Sequence, residues 1–286
     1  MHKINMKLRL TAALLLTFSS LTGGSLFAQE ATFRNSLGME FVLIRPGTIL
    51  IGRYLPTVGE YQEPKAEPGT PLPKVLPPSA YRLAETMAAE STMPGFKFNL
   101  SKPYYIGKYE VTQEQWQKVM GNNPSWFQKD RLTDEAKLHP VENITWKDAQ
   151  TFIKKLNQLD KVHTYRLPGE FEWEYAAAAG APDDIPWAKA ATMGVISENA
   201  THKVGSKQPN DWGLYDMIGN VWEWVQDLYN EKIFADPIPP QRGKQHVLKG
   251  ASFTGDAKNA TYKTHAAGPG NGFDIGFRVL MEAREE

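Results

Sequence analysis

The chain contains no cysteine. That single absence removes disulfides, thiolate metal ligands and thiol nucleophiles from its chemistry. It has no surplus of charge either: Lys plus Arg number 32, and Asp plus Glu number 32. Nothing in the net charge therefore draws it to nucleic acid or to an anionic membrane. Long apolar runs are also missing, since the most apolar stretch, LTAALLLTF, falls short of the roughly 20 residues that a membrane-spanning helix requires. What remains is 286 residues, 41% hydrophobic and 22% charged, enough for one large or two small globular domains with a buried core.

The first residues read as an export address. Lys3, Lys7 and Arg9 precede the apolar run, small residues follow it, and SLFAQE supplies a cleavage site after Ala28, the order of an n-region, an h-region and a processing site. Residues 1–28 are thus expected to be a signal peptide, with a mature protein of residues 29–286 in the periplasm or secreted. Without a cysteine after the h-region there is no lipid attachment. Zero cysteine is compatible with export, because disulfides are permitted outside the cytosol and are not required there.

Further along, GMEFVLIRPGTILIGR (Gly38–Arg53) holds two β-branched, apolar runs around Pro46 and Gly47, which predicts a hairpin. From Tyr54 to Phe96 the composition shifts, with eight prolines and few aliphatic residues. Such a segment is an extended, polyproline-like insertion without a core of its own. YYIGKYEVTQEQWQKVMG predicts a strand and then a helix capped by Thr112, with Gln115 in the capping-box position and Trp116, Val119 and Met120 on one face. ITWKDAQTFIKKLNQL repeats the device. Thr145 caps, Asp148 is the third helical residue, and Ala149, Phe152, Ile153 and Leu156 recur at helical spacing, which leaves Lys147, Lys154 and Lys155 to solvent. YRLPGEFEWEYAAAAG offers Gly169 as a cap, with Glu170 and Glu172 complementing the helix dipole on a short surface-facing turn over buried Phe171 and Tyr175. Two strands, in QHVLKGASF and DIGFRVL, close the chain.

Polarity and aromatic rings are most densely mixed in GLYDMIGNVWEWVQD (Gly213–Asp227), where Asp216, Asn220, Glu223 and Asp227 sit among Tyr215, Trp222 and Trp224. A Gly-containing turn of this kind can offer several oxygens to a hard cation. Equally, Asp216 and Glu223 can satisfy backbone N–H groups in a buried turn. The histidines His139, His163, His202, His246 and His265 are scattered without metal-ligand spacing.

Taken in order, GMEFVLIRPGTILIG, YYIGKYEVTQEQW, PVENITWKDAQTF, YRLPGEFEWEYAA, GLYDMIGNVWEW, LKGASF and DIGFRV resemble the successive blocks of the formylglycine-generating enzyme family, also called the sulfatase-modifying factor domain. The resemblance covers nearly all of the chain outside the proline-rich insertion. It implies an α+β, C-type-lectin-like formylglycine-generating-enzyme fold, a single domain with much irregular backbone.

The resemblance also implies a calcium ion. In the family, the block matching DMIGNVWEW holds one with an Asn or Asp side chain, two main-chain carbonyls and a Glu side chain, which fall on Asp216, Gly219, Val221 and Glu223. A second calcium site of some members uses an Asn and an Asp in the preceding loop; AATMGVIS lacks that Asn. Catalysis in the family uses two cysteines that bind copper after a Gly-Gly-Ser motif. Counted from GAS, with Ser252 as the motif serine, their positions are held here by Gly255 and Ala260, neither of which offers the soft ligand that copper(I) favours. No copper is expected, and no formylglycine by that route. The His-x-x-x-His-x-Glu iron arrangement of sulfoxide-forming relatives is absent from the sequence as well.

The wall of the cleft is expected in TGDAKNATYKTHAAGPGNGFD (Thr254–Asp274), where Asp256, Tyr262, Lys263, His265 and Asp274 offer acid, base and hydrogen-bonding groups without a diagnostic pair. Two functions fit. One is an exported, non-catalytic accessory or binding module for an envelope or secreted protein. The other, by analogy with pyoverdine-maturation relatives, is a cysteine-independent periplasmic oxidoreductase acting on a peptide-derived substrate. Both rest on the fold resemblance.

Overall fold

The computed structural model describes residues 31–52, 95–181, 187–255, 261–263, 265–268 and 270–284. The expected signal peptide and nearly all of the proline-rich insertion lie outside the described residues. Strand β2 (Glu40–Ile44, EFVLI) reads as a continuous apolar run rather than an alternating one, the mark of a strand covered on both faces. Its side chains divide accordingly. Phe41 and Leu43 join one core cluster, while Val42 and Ile44 join another.

With β1 (Thr32–Arg34), β5 (Tyr104–Gly107), β6 (Tyr165–Arg166) and β11 (Leu280–Glu282), β2 forms a five-stranded sheet of order β1-β2-β5-β11-β6. Every neighbouring pair in it is antiparallel. One face packs on helices α1 (Gln113–Met120) and α2 (Trp146–Leu159) through Trp116, Val119, Phe152, Ile153 and Leu156. The other packs on α3 (Glu170–Ala178) through Trp173, Tyr175 and Ala176. A four-stranded sheet of order β10-β7-β8-β9 lies across both cores: β7 (Trp222–Leu228) sends Trp224 into the first and Val225 into the second, and β8 (His246–Lys249) sends Leu248 and Val247 likewise. β9 is His265–Ala267, and β10 (Ile275–Gly276) runs parallel to β7. A short helix α4 (Trp187–Met193) follows α3 in the chain.

The helix starts follow the local signals. Thr112 and Thr145 each accept the amide of the third helical residue, while Gln115 and Asp148 return the bond to the cap's own N–H. Lys147 and Lys154 are exposed, Lys155 is half-buried, and Ala149, Phe152, Ile153 and Leu156 are buried.

Two expectations are corrected. Strands β2 and β3 (Gly47–Ile51) exist but form no hairpin, because β2 is flanked on both edges by β1 and β5 and has no edge left to offer. β3 instead pairs with β4 (Phe96–Leu100), so that the last residue assigned to the insertion opens a strand. Helix α3 is not surface-facing either. Glu170, Trp173, Glu174, Tyr175 and Ala176 to Ala178 are all buried, whereas Phe171 is only half-buried.

Gly276 marks a tight approach: a Cβ there would lie 2.5 Å from the Val141 carbonyl oxygen and 2.9 Å from Val221 Cγ2. Thr145→Ala, which removes one cap, is expected to cost about 1 kcal/mol. Gly276→Ala should cost more, roughly 2 to 3 kcal/mol, because backbone must shift to admit the methyl group. Denaturant unfolding of both variants measures this, and a larger loss for Thr145→Ala would contradict the packing described.

Candidate functional site

The turn before β7 explains its own composition. Asp216 has φ 55°, Gly219 φ 76° and Asn220 φ 59°, all in the left-handed region that Gly, Asn and Asp enter at least cost. Gly219 is confined further, since a Cβ would meet the Val195 carbonyl oxygen at 2.2 Å. The turn thus folds its polar residues inwards. Asp216, Asn220 and Glu223 are all buried.

At the centre is Arg278, fully buried. Its Nε donates to Glu223 Oε1 and Oε2 at 2.9 and 2.7 Å, and its Nη2 to Glu223 Oε1 at 2.6 Å. The same Nη2 reaches the carbonyls of Tyr215 (2.9 Å) and Asp216 (3.3 Å), and Nη1 donates to the Gly107 carbonyl at 3.1 Å. Trp173 Nε1 donates to Glu223 Oε2 at 2.6 Å. A third carboxylate, Glu110, accepts from Asn220 Nδ2 (2.6 Å) and the Val221 amide (3.1 Å). Asp216 Oδ2 accepts from the Gly205 amide at 2.6 Å, whereas its Oδ1 is buried with no hydrogen-bond partner among the described residues.

Three carboxylates thus share one guanidinium out of contact with water. Burial pushes the Asp216 carboxyl up to about 6, opposed by the Gly205 amide and Arg278. Burial, with the charges of Asp216 and Glu223, lifts Glu110 well above the carboxylate range. On Arg278 burial works against the charge, but Glu223, Glu110 and Asp216 outweigh it and hold the guanidinium firmly protonated.

Of the expected calcium set, Asp216 and Glu223 are buried around Arg278, with Glu223 already engaged by Arg278 and Trp173, while Gly219 lies in the left-handed turn and Val221 gives its amide to Glu110. Among the described residues no group of three or more acidic or histidine side chains is placed to hold a metal. The fit to a hard cation rests on the unpartnered Asp216 Oδ1 and on the excess of carboxylate over guanidinium.

A second polar group is centred on Asp274, the residue before β10. Ser252 Oγ donates to Asp274 Oδ2 at 2.8 Å, Thr254 Oγ1 to the same oxygen at 3.3 Å, and the two hydroxyls lie 2.9 Å apart. Glu142 is fully buried. Its Oε1 accepts the Phe127 amide at 2.9 Å, and its Oε2 has no partner among the described residues. Burial raises the Glu142 carboxyl to about 7; the main-chain amides of Phe127 and Trp126 work against this, and the Asp274 charge adds to it. Around this group the rings of Phe127, Phe253 and Phe273 pack at centroid distances of 5.3 to 6.3 Å, and Phe273 and Trp126 are about half exposed.

The expected cleft wall is only partly at the surface. Asp274 lies there, but Tyr262 and Lys263 are buried, Tyr262 within the second core. Asp256, Ala260 and the side chain of His265 lie outside the described residues, while Gly255 closes a turn by donating its N–H to the Ser252 carbonyl. Three of the described histidines hold structure. His139 joins Asp134 (2.7 Å) to Thr201 (3.0 Å) on the wall of an open cavity of about 500 Å³, His163 bonds Asp160 at 2.9 Å, and His246 stacks on Trp146 at 3.6 Å.

Sequence reasoning missed Glu110, Glu142, Glu174, Lys249 and Arg278. Glu142, Lys249 and Arg278 are each a lone charge in an otherwise uncharged stretch, as in PVENITW, VLKGASF and GFRVL, whereas Glu110 follows Lys108 and Glu174 follows Glu170 and Glu172, which hides them.

Glu142 generates a pH prediction. A carboxyl whose folded value lies above its unfolded one binds its proton more tightly in the native state, so native stability falls as pH rises between the two values. The window here is from 4.5 to about 7. Glu142→Gln, which keeps an acceptor for the Phe127 amide, should remove that fall and leave the variant more stable than wild type above pH 7, by up to about 3 kcal/mol. Equal pH profiles of denaturant unfolding for the two proteins would contradict it.

Residues 33–283 match the model of the sulfatase-modifying factor enzyme 1-like domain. The chaperone protein LppX of Paenibacillus barcinonensis is 30% identical over 235 residues, covering 62% of this chain and 79% of LppX. The formylglycine-generating enzyme of Mus musculus is 30% identical over 139 residues, which cover 40% of this chain and only 35% of the enzyme. The solved structure of Treponema denticola variable protein 1 superposes with a TM-score of 0.67 at 26% identity, over 88% of this chain and 98% of that one. With its α+β architecture in agreement, the chain belongs to the sulfatase-modifying factor enzyme 1-like, or formylglycine-generating-enzyme-like, domain family.

Proposed function

We propose that this protein is an exported accessory module that presents the face around Ser252, Asp274, Trp126 and Phe273 to an envelope or secreted protein, without the oxidase chemistry of its family. The observation that carries the reading is the pairing of a complete family scaffold with a sequence that has no thiol: glycine and alanine occupy the two positions where the copper ligands would stand. A copper(I) site built on two thiolates cannot form there. The chaperone name of LppX, over 79% of whose length the similarity runs, supports action on another protein. So do two half-exposed aromatic rings beside a polar cluster, since Trp and Phe are enriched at the centres of protein contacts. No helix among the described residues is long and apolar enough to cross a membrane. The signal peptide expected in residues 1–28 would direct the protein to the periplasm or out of the cell.

In this reading the calcium expectation has a structural purpose. A hard cation would be held by Asp216, by the carbonyls of Gly219 and Val221 and by Glu223, and it would supply positive charge where carboxylates exceed guanidinium. This chain's own residues do the rest. Arg278 fixes the turn against the five-stranded sheet, and Asn220 ties it to Glu110 and to the His202 amide.

The purified protein, immobilised, should retain a discrete partner from an envelope extract at micromolar concentration. Trp126→Ala with Phe273→Ala should weaken that capture by tenfold or more, the loss expected when buried aromatic anchors are truncated. No retained partner, or undiminished capture by the double variant, would contradict the reading. For the cation, chelation should lower the melting temperature of the wild-type protein and leave that of Asp216→Ala unmoved. A wild-type melting temperature indifferent to chelator removes calcium.

A further inference from the structure

The open cavity of about 500 Å³ beside His139 lies between two loops, residues 131–139 and residues 200–206. The loops are stapled to each other. Val204 donates its N–H to the Leu138 carbonyl at 3.1 Å, His139 joins Asp134 to Thr201, and Lys203 Nζ lies 3.6 Å from Asp134 Oδ2. The second loop is also tied to the interior, because the His202 amide donates to Asn220 Oδ1 at 3.0 Å and the Gly205 amide to Asp216 Oδ2 at 2.6 Å. Leu132 and Ala200, on the cavity wall, pack against Phe127, Val195 and Phe253. The wall is therefore built before any ligand arrives, and its volume falls in the range of small-molecule sites.

What this wall leaves open is mainly donor capacity. The Arg131 guanidinium lies 4.1 Å from the Trp126 ring and gives Nη1 to the Trp126 carbonyl and to Asp130, so its Nε and Nη2 have no hydrogen-bond partner among the described residues. The hydroxyls of Thr133 and Ser206 have none there either. The Arg131–Asp130 contact is exposed on both sides, and a pair of that kind holds its members weakly. One carboxylate lines the cavity, and it is already engaged. Asp134 Oδ1 faces His139 Nε2 at 2.7 Å and Oδ2 faces Lys203. Burial works to raise the Asp134 carboxyl, but His139 and Lys203 outweigh it and hold it below its ordinary value, so the local field favours negative charge.

We infer that this cavity is a binding site for a small phosphate monoester. It is separate from the Ser252–Asp274 face and does not depend on the accessory reading. A phosphoryl group brings close to two negative charges and three strong acceptor oxygens. The Arg131 fork, the Lys203 ammonium and the hydroxyls of Thr133 and Ser206 supply matching donors on one wall. A carboxylate, with two oxygens and a single charge, would leave part of that set unused. The cavity has room for more than a phosphate ion, and Leu132 and Ala200 give apolar cover to the alcohol part of an ester. A divalent metal is poorly served, since Arg131 and Lys203 repel it and both ring nitrogens of His139 are engaged.

Calorimetric titration of the full chain with phenyl phosphate, inorganic phosphate and benzoate tests the site. Phenyl phosphate should bind saturably at millimolar concentration or below, and the other two at least tenfold more weakly. Arg131→Gln and Lys203→Gln should each weaken phenyl phosphate by tenfold or more, the size expected for losing a charge-assisted hydrogen bond. Their side chains are 41% and 43% exposed, so both variants should melt as folded proteins. Lys154→Gln, which removes a lysine from the solvent face of α2, should bind like wild type. No saturable binding of phenyl phosphate would overturn the inference. So would benzoate or inorganic phosphate binding as tightly as the ester, full affinity in both cavity variants, or an equal loss in Lys154→Gln.

Discussion

A charge taken out of water must be met by another charge or by a complete set of hydrogen bonds, and the interior of this protein is organised around that demand. Arg278 is its main instrument. One guanidinium holds Glu223 through three short bonds and binds the carbonyls of Gly107, Tyr215 and Asp216, thereby joining the end of β5, the left-handed turn and the start of β7. Glu223 passes the connection on to Trp173 on α3. Removing Arg278 would leave an uncompensated anion among fully buried residues, a far larger penalty than the loss of a surface pair.

That organisation separates scaffold from face. The five-stranded sheet, covered by α1 and α2 on one side and by α3 on the other, carries the bulk of the apolar burial among the described residues. Beyond β10 the character changes. Hydroxyls gather on a half-buried Asp274 beside exposed Phe273, and one oxygen of the deeply buried Glu142 has no partner among the described residues. A rigid body with hydroxyls and exposed rings on one face is an arrangement suited to recognition, because the ordering cost is met by the scaffold before a ligand arrives.

Much of the fold was legible in the sequence where the deciding forces are local. Thr112 with Gln115, and Thr145 with Asp148, announced helix starts because a capping box is complete within four residues. The family blocks announced the architecture. What escaped was decided at long range. The chain from Gly38 to Arg53 holds two strand sequences, but whether they pair depends on β1 and β5 taking both edges of β2. EFEWEYAAAA shows almost no amphipathic contrast, so its burial could be known only from the sheets packed around it and from Lys249, which lies 75 residues beyond Glu174 in sequence. The candidate site divides in the same way. Asp216, Gly219, Val221 and Glu223 stood out within one turn, whereas Glu110 and Arg278 reach the same cluster from separate segments far along the chain. Solitary buried charge is visible in sequence; the identity of its partner is not.

The cohesion of the interior depends most directly on Arg278. Denaturant unfolding of Arg278→Met, which keeps an unbranched apolar stem and deletes the charge, should show a loss of roughly 3 to 5 kcal/mol, with most of that loss recovered when Glu223→Met is added to it. A single variant within about 1 kcal/mol of wild type, or a double variant no better than the single, would contradict the claim that this guanidinium holds the interior together.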